Sequence, residues 1–500
     1  MKTSKKILAS VLAAASLLSV TACGGGGRTA DTGTTAATTT APSTTWETFE
    51  ENEGVQDAVA NVEVGKHEVT KKLKWLAWYP IKETAPDVEL FKANYGIPEE
   101  GDASYGDYAD CVFHFTNVTY HERYDKLGNM VASGDSPDLF PFEIGYFPLS
   151  AYKGMFQSID GIVDTNAEQW ADTRADMDKF MWGGKNYCAI PKVSLDEVYF
   201  YRRSVIQENG LEDPYELYKA GEWTWDKFIE MADTFQQSGE NKFVVDGWSV
   251  SEKILATSGT PLVSIENGKL VSNLNTPAVE RAMALSELLC TENYRYARHE
   301  LNNWNINEQA WANGDTLFFA QGTYFWEEKG YKFAKKFEWD EGDVFFVPVP
   351  RDPSSDTYYQ SMKQDSFMLC AGSQNVEGFA AWVECVLAAT KDPDVALAAR
   401  EQKKTDYNWT DEMLDFVEEH FICPEMLDFV EELERDMVAV WDFKNGISTA
   451  AADSSSMENS PIESLVKIPY VTGEKSYTQL RTEKQGEIDT AIAELNASVA

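Results

Sequence analysis

Cys23 has neighbours that define a chemistry. It follows Val20-Thr21-Ala22, small residues that fit a peptidase cleft. It precedes the run Gly24 to Gly27, which has little helical tendency and leaves the thiol accessible. Upstream, Lys2, Lys5 and Lys6 make a positive n-region, and Ile7 to Val20 is an apolar run too short for a comfortable membrane span. This is the form of a lipoprotein export signal, with cleavage before Cys23 and acylation of its sulfur. The mature chain is then expected to be tethered by acyl chains at the extracellular face of the cytoplasmic membrane. An ordinary secretory signal with a chance cysteine is the competing reading. No later stretch approaches ~18 uninterrupted apolar residues, so no second crossing is expected.

The other reactive side chains form no recognisable constellation. Cys111, Cys188, Cys290, Cys370, Cys385 and Cys423 are scattered without a C-x-x-C, which leaves zinc and thioredoxin-type chemistry unsupported. Buried thiols and disulfides both fit that spacing. His67, His114, His121, His299 and His420 never fall into H-E-x-x-H, and neither G-x-S-x-G nor a P-loop occurs. Asp172, Asp176 and Asp178 lack the glycine and terminal glutamate of a calcium loop and read as an exposed helix face. No metal and no cofactor are expected. A glycosidase needs only two carboxylates, and 82 acidic residues leave such a pair open. The formal charge of −39 disfavours nucleic acid and anionic head groups, and neutral ligands fit most easily. Much of that charge serves solubility.

Aromatic residues carry the stronger signal. Trp75, Trp78 and Tyr79 stand at the end of an alternating segment, and Phe140 and Phe142 follow a Pro-Asp turn. Tyr199 and Tyr201 share one strand face. Trp248 follows a glycine, and Tyr324 and Trp326 follow Gly322. Aromatic faces pack against the C–H faces of sugar rings, while carboxylates, amides and guanidinium groups bind hydroxyls. Any one of these aromatics alone reads as core; the group reads as a binding cleft.

The elements that must position them alternate. Strands are expected at Lys72–Trp78, Cys111–Val118, Pro137–Phe140, Glu197–Arg202, Leu317–Ala320 and Val344–Val349. Helices are expected at His121–Ser133, Trp225–Gln237 with Thr224 as N-cap, Pro277–Cys290 and Val376–Thr390. The alternation predicts an α/β architecture with mostly parallel sheets, and the length predicts two lobes. Residues 29–45 are Thr-, Ala- and Ser-rich and read as a tether; 46–69 is acidic and partly helical. The octet Glu-Met-Leu-Asp-Phe-Val-Glu-Glu occurs at 412–419 and again at 425–432 with Pro424 between, a tandem duplication expected to make two short helices packing by the same face.

Several segments in order resemble the family 1 extracellular solute-binding proteins, which include the maltose/maltodextrin-binding proteins. They are Ser136-Pro-Asp-Leu139, Tyr187-Cys-Ala-Ile-Pro191, Val198-Tyr-Phe-Tyr-Arg-Arg203, Asn209-Gly-Leu211 and Trp223-Thr-Trp-Asp-Lys-Phe228. Val245-Asp-Gly-Trp248, Ala310-Trp-Ala-Asn-Gly-Asp-Thr316 and Val347-Pro-Val-Pro350 continue the series. The resemblance implies a two-lobed type II periplasmic-binding-protein-like fold with the ligand in the cleft between lobes. It implies a monomer that binds a small-molecule carbohydrate, performs no covalent chemistry, and delivers its ligand to ABC transporter permease subunits with their cytoplasmic ATPase. It places Phe142, Asp196, Glu197, Trp248 and Tyr324 at ligand-binding positions; with Trp78 and Trp326 from the aromatic pattern, and Glu143 beside Phe142, they make the expected ligand-binding set. The domain reading is signal 1–22, lipidated tether 23–70, first lobe 71–192, second lobe 193–345, return to the first lobe 346–400, and a C-terminal helical segment 401–500, mainly on the second lobe. Residues 354–363 and 408–436 read as inserts. An anchored glycan-active enzyme, a surface polysaccharide-docking protein and a receptor for a non-sugar solute are the rival readings.

Overall fold

Leucine, tryptophan and β-branched residues in alternating runs build strands whose apolar faces must be covered, and tryptophans on the following helices cover them. The computed structural model describes residues 52–79, 82–98, 106–107, 112–119, 122–141, 151, 154–179, 181–195, 197–266, 269–298, 305–360, 362–420 and 461–498. All of them belong to one unit, Thr48–Ala500.

The first sheet is assembled from β1 (Leu73–Ala77), β2 (Gly106–Asp107), β3 (Phe113–Asn117), β4 (Leu139–Pro141), β5 (Cys188–Leu195) and a late strand, β10 (Met362–Leu369), in the order β2-β3-β1-β4-β10-β5. Helices α1 (Glu53–Val59), α2 (Pro86–Tyr95) and α3 (Arg123–Ser133) belong to its first half. The second sheet has the order β9-β6-β8-β7, from β6 (Glu197–Arg202), β7 (Phe243–Gly247), β8 (Thr316–Gly322) and β9 (Val344–Val347). Between its strands run α4 (Pro214–Lys219), α5 (Trp225–Gln236), α6 (Pro277–Thr291) and α7 (Glu308–Ala312). After β10 follow α8 (Val376–Lys391), α9 (Pro393–Tyr407), α10 (Asp411–His420), α11 (Pro461–Val471) and α12 (Tyr477–Ser498).

The expectation of mostly parallel sheets is corrected. β1 pairs in parallel with β3 and β4, and β8 with β7. The partners of β10 and of β6 are all antiparallel to them. The reason is topological: β6 and β10 enter their sheets from the crossovers rather than through a βαβ unit, and only the latter imposes parallel pairing.

Each sheet has its own aromatic core. On the first, Trp382 of α8 meets Trp75 and Phe113 edge-on, with ring centroids 5.6 and 4.8 Å apart. On the second, Phe318 lies 5.7 Å from Tyr199, 5.6 Å from Phe228 and 5.5 Å from Trp223. Tyr199 and Tyr201 are wholly buried there, so both are core residues rather than cleft residues. Thr224 Oγ1 accepts the Lys227 amide at 3.4 Å, the N-cap that starts α5.

Two strand-to-strand crossovers join the sheets, and the link from α9, tied to the first half by Lys82 and Thr84, to α10, which packs on β9, makes a third passage. Asp196 alone separates β5 from β6. Residues 348–361 return the chain from β9 to β10, and buried Gln360 ties them by accepting from the Val349 amide at 3.0 Å and donating to its carbonyl at 2.9 Å. The Trp223-Thr224-Trp225 segment holds the same stretch: Trp223 Nε1 donates to the Pro348 carbonyl at 2.7 Å, and the Trp225 amide to the Arg351 carbonyl at 3.0 Å. The segment read as an insert at 354–363 thus lies mostly in this crossover, its last two residues in β10. Cys188, Cys290, Cys370 and Cys385 are buried free thiols.

Candidate functional site

Strand directions decide where a ligand can reach the backbone. β4 and β5 both oppose β10, and β1 runs with β4, so the carboxyl ends of β1, β4 and β5 share a rim with the start of β10; Leu195 faces Met362 there. In the second sheet the carboxyl ends of β7, β8 and β9 share a rim with the start of β6, and Gly322 faces Glu197. Both crossovers run from one rim to the other. The rims therefore meet where strand carboxyl ends deliver loop residues, the usual ligand position in open α/β sheets.

Tyr79, Trp248 and Tyr324 lie at these carboxyl ends, after β1, β7 and β8, with relative exposures of 38%, 41% and 39%. Among the described residues Phe337 is the other large aromatic of comparable exposure. Apolar rings are normally buried, so their exposure on the two rims that the crossovers join is informative.

Trp248 has a built support. Gly247 has φ of +131°, and a Cβ there would overlap the Ala320 backbone, so only glycine lets β7 approach β8 this closely. The Trp248 amide then donates to the Ala320 carbonyl at 3.0 Å. Beneath it, wholly buried Asp246 accepts the Asn307 amide at 2.7 Å and the Gly247 amide at 2.8 Å, and pairs with Arg298 Nε at 3.2 Å. Burial pushes the Asp246 carboxyl above its ordinary value, against the opposing pull of Arg298 and the two amides. Arg298 also donates to the Gly247 carbonyl at 2.6 Å and stands 5.5 Å from the centre of the Trp248 ring. Beside this array opens a pocket of about 520 Å³, bordered by Trp248, Asn305, Ile306, Asn307, Glu308, Gln309, Lys329 and Phe333. Glu308 and Lys329, both in its lining, form an ion pair. The lining offers an aromatic face, side-chain amides and a neutralised charge pair.

The other expected site residues fall differently. Tyr324 donates to Gln321 Oε1 at 3.1 Å, leaving much of its ring exposed. Trp78 is half-buried, 6.0 Å from the Phe140 ring and under the Arg123 guanidinium at 5.1 Å. Trp326 is only 4% exposed and packs toward Gly330, so in this conformation its ring belongs to the interior rather than to the rim. The Glu197 backbone lies on the rim opposite Gly322; its side chain, with Phe142, Glu143, Asp196 and Cys23, lies outside the described residues. Arg298, Asp246 and Asn307 were not singled out by the sequence reading. Asp246 stood inside the quoted Val245–Trp248 motif, whereas nothing in the spacing of Arg298 points to it. Among the described residues no cluster of His, Cys, Asp or Glu suits a metal ion, and no helix is long and apolar enough to cross a membrane.

Two sheets exchanging strands through crossovers, with an aromatic rim at the junction, define a type II periplasmic-binding-protein fold. Residues 105–401 match the model of the bacterial extracellular solute-binding protein family, and the chain belongs to that family. The GacH receptor of Streptomyces glaucescens, solved unliganded and with acarbose, superposes with a TM-score of 0.57 at 16% identity, covering 85% of this chain and 99% of its own. An ABC substrate-binding protein of Listeria monocytogenes in complex with cycloalternan gives 0.57 at 14%, covering 85% and 99%. The galacto-N-biose/lacto-N-biose I-binding protein of Bifidobacterium longum, in complex with lacto-N-biose, gives 0.56 at 13%, covering 86% and 99%. No curated protein sequence matches the chain.

Proposed function

We propose that this protein is a lipid-anchored receptor that captures a neutral carbohydrate, an oligosaccharide rather than a monosaccharide, and hands it to an ABC importer. The observation that carries the reading is the set of exposed rings at strand carboxyl ends, Tyr79, Trp248 and Tyr324. Apolar sugar faces stack on such rings, and the amides of Asn305 and Gln309 beside Trp248 suit hydroxyl groups. Solved structures of similar fold hold acarbose, cycloalternan and lacto-N-biose, which agrees with this ligand class. The lobes correspond to the two sheets, and they close on the ligand by a hinge at the crossovers. The closed form is what the permease, with its cytoplasmic ATPase, accepts. The receptor acts as a monomer, carries out no covalent step, and is anchored through acyl chains on Cys23.

The test is a thermal-shift panel on the chain from Gly24 onward. Mono- and oligosaccharides are compared with amino acids and polyamines, and the sugars are assayed for new reducing ends. A shift confined to oligosaccharides, without hydrolysis, supports the receptor. A shift only with an amine or peptide overturns the ligand class, and released reducing ends overturn the non-enzymatic reading. Incorporation of labelled palmitate into the full chain, abolished by Cys23→Ala, tests the anchor.

A further inference from the structure

The duplicated octet has a structural consequence that solute capture does not use. Helix α10 carries the first copy, and its apolar side is buried: Met413, Leu414 and Phe416 are 1%, 4% and 2% exposed. The Phe416 ring sits among four others, 5.1 Å from Tyr215, 5.6 Å from Tyr218, 5.3 Å from Phe345 and 5.9 Å from Phe346. Two arginines clamp the ends of the helix. Arg203 binds both Glu412 oxygens at 2.7 and 2.8 Å, and Arg400 binds Asp415 and Glu418 at 2.7 Å each. Every one of these contacts on the α10 side is made by a residue of the octet.

The second copy, Glu425 to Glu432, repeats all of them thirteen residues downstream: Glu425 for Glu412, Met426 and Leu427 for Met413 and Leu414, Asp428 for Asp415, Phe429 for Phe416, Glu431 for Glu418. What it lacks lies just upstream. Asp411, which pairs with Arg400 and Lys404 at 3.1 and 2.9 Å, becomes Pro424, and Thr410, whose hydroxyl caps the Met413 amide at 3.2 Å, becomes Cys423. Proline is itself a favourable first helical residue, so the sequence of the second copy is also compatible with a helix start.

We propose that the groove between α4, β9 and α9 is a two-register docking site whose second occupant is the octet at 425–432 of the same chain. Chain connectivity permits the exchange. The link from Asn408 at the end of α9 lengthens by thirteen residues, and loop-closure entropy grows only with the logarithm of length. On the other side, residues 433–460 remain to reach Pro461, and at about 3.3 Å per residue they span roughly 90 Å. The first register is the ground state because it alone has the Asp411 pairs and the Thr410 cap. The second is a reserve that refills the groove when the first octet leaves it.

Melting temperatures of four full-length chains test this: wild type, Phe416→Asp, Phe429→Asp and the double variant. The expected result is no shift for Phe429→Asp, a fall of a few degrees for Phe416→Asp, and a much larger fall, or failure to fold, for the double variant alone. Equal losses in Phe416→Asp and the double variant overturn the proposal, as does failure of Phe416→Asp itself to fold. A large loss from Phe429→Asp alone also overturns it, because the second octet would then have a site of its own. Glu425→Arg, which would face Arg203 only in the second register, is expected to lower the melting temperature further in the Phe416→Asp chain and not in wild type; an unchanged value in the former sinks the shared groove.

Discussion

At the scale of the residue, Trp248 and Tyr324, like Tyr79, differ from the buried aromatics of the sheets in having faces that solvent can reach. A ring that is already exposed contributes little to folding, so its removal should be felt in binding. Trp248→Ala and Tyr324→Ala are each expected to weaken oligosaccharide binding about tenfold to thirtyfold, the value of roughly 1.5–2 kcal/mol of stacking contact. Their effect on stability should stay near 0.5 kcal/mol, as for surface substitutions. Isothermal titration beside thermal unfolding checks both, and unchanged affinity in both variants removes these rings from the site. Arg298 is the opposite case. Its partner Asp246 is wholly buried, so Arg298→Ala leaves a carboxylate without its counter-charge and should cost about 3–5 kcal/mol. The pH dependence has a definite sign. Burial raises the Asp246 carboxyl above 3.8, so the folded protein binds that proton more tightly than the unfolded chain does. This group's contribution to stability therefore falls as pH rises from its unfolded value through its folded one. Removing Arg298 takes away the opposing pull and deepens the fall. Between about pH 4 and pH 7 the variant should lose stability relative to wild type, and a pH-independent difference contradicts the pairing.

At the scale of the element, Gly247 couples the sheet to the site. Gly247→Ala places a methyl against the Ala320 backbone and forces an alanine to a φ of +131°. The expected loss is several kcal/mol, with weakened binding because Trp248 hangs from the same turn. Thr224→Ala removes only the cap of α5 and should cost about 1 kcal/mol with binding unchanged. What was legible in the sequence follows the same division. α5 was read almost to its ends because its cap, its first-turn Asp226 and its buried face are all local. The β7-to-Trp248 transition was legible because a glycine ends the strand. The mixed sheet was not, since the direction of β6 and β10 is decided by distant strands and leaves no mark on their own alternation. Arg298 was illegible for the same reason: its partner Asp246 lies far along the chain and meets it only after the 247–298 segment has folded. Trp326 followed Gly322 just as Tyr324 did; its burial comes from the inward turn of the Trp326–Gly330 helix, which the dipeptide spacing does not encode.

At the scale of the whole molecule, the two crossovers are unlike. The first is one residue, Asp196, between two strands; the second is fourteen residues long yet tied to itself by Gln360 and, through Trp223 and Trp225, to the segment that starts α5. A strand-to-strand link of one residue absorbs rotation through a few dihedrals, while the tied segment moves as part of the second sheet. Closure should therefore be a rigid-body rotation about the first link, the β10 end of the second and the short link from α9 to α10. Two observables follow. At about 100 times its dissociation constant a ligand adds roughly 2.7 kcal/mol of stability, a shift of a few degrees. The same ligand should reduce the radius of gyration in solution scattering, because lobes that rotate together bring mass inward. The two readouts separate rival mechanisms. A protein that only docks on polysaccharide gains stability from a short oligomer without becoming smaller, whereas a receptor that encloses its ligand does both. Stabilisation by an oligosaccharide at constant radius of gyration would leave the exposed rings as a sugar site and eliminate closure as the way it is used.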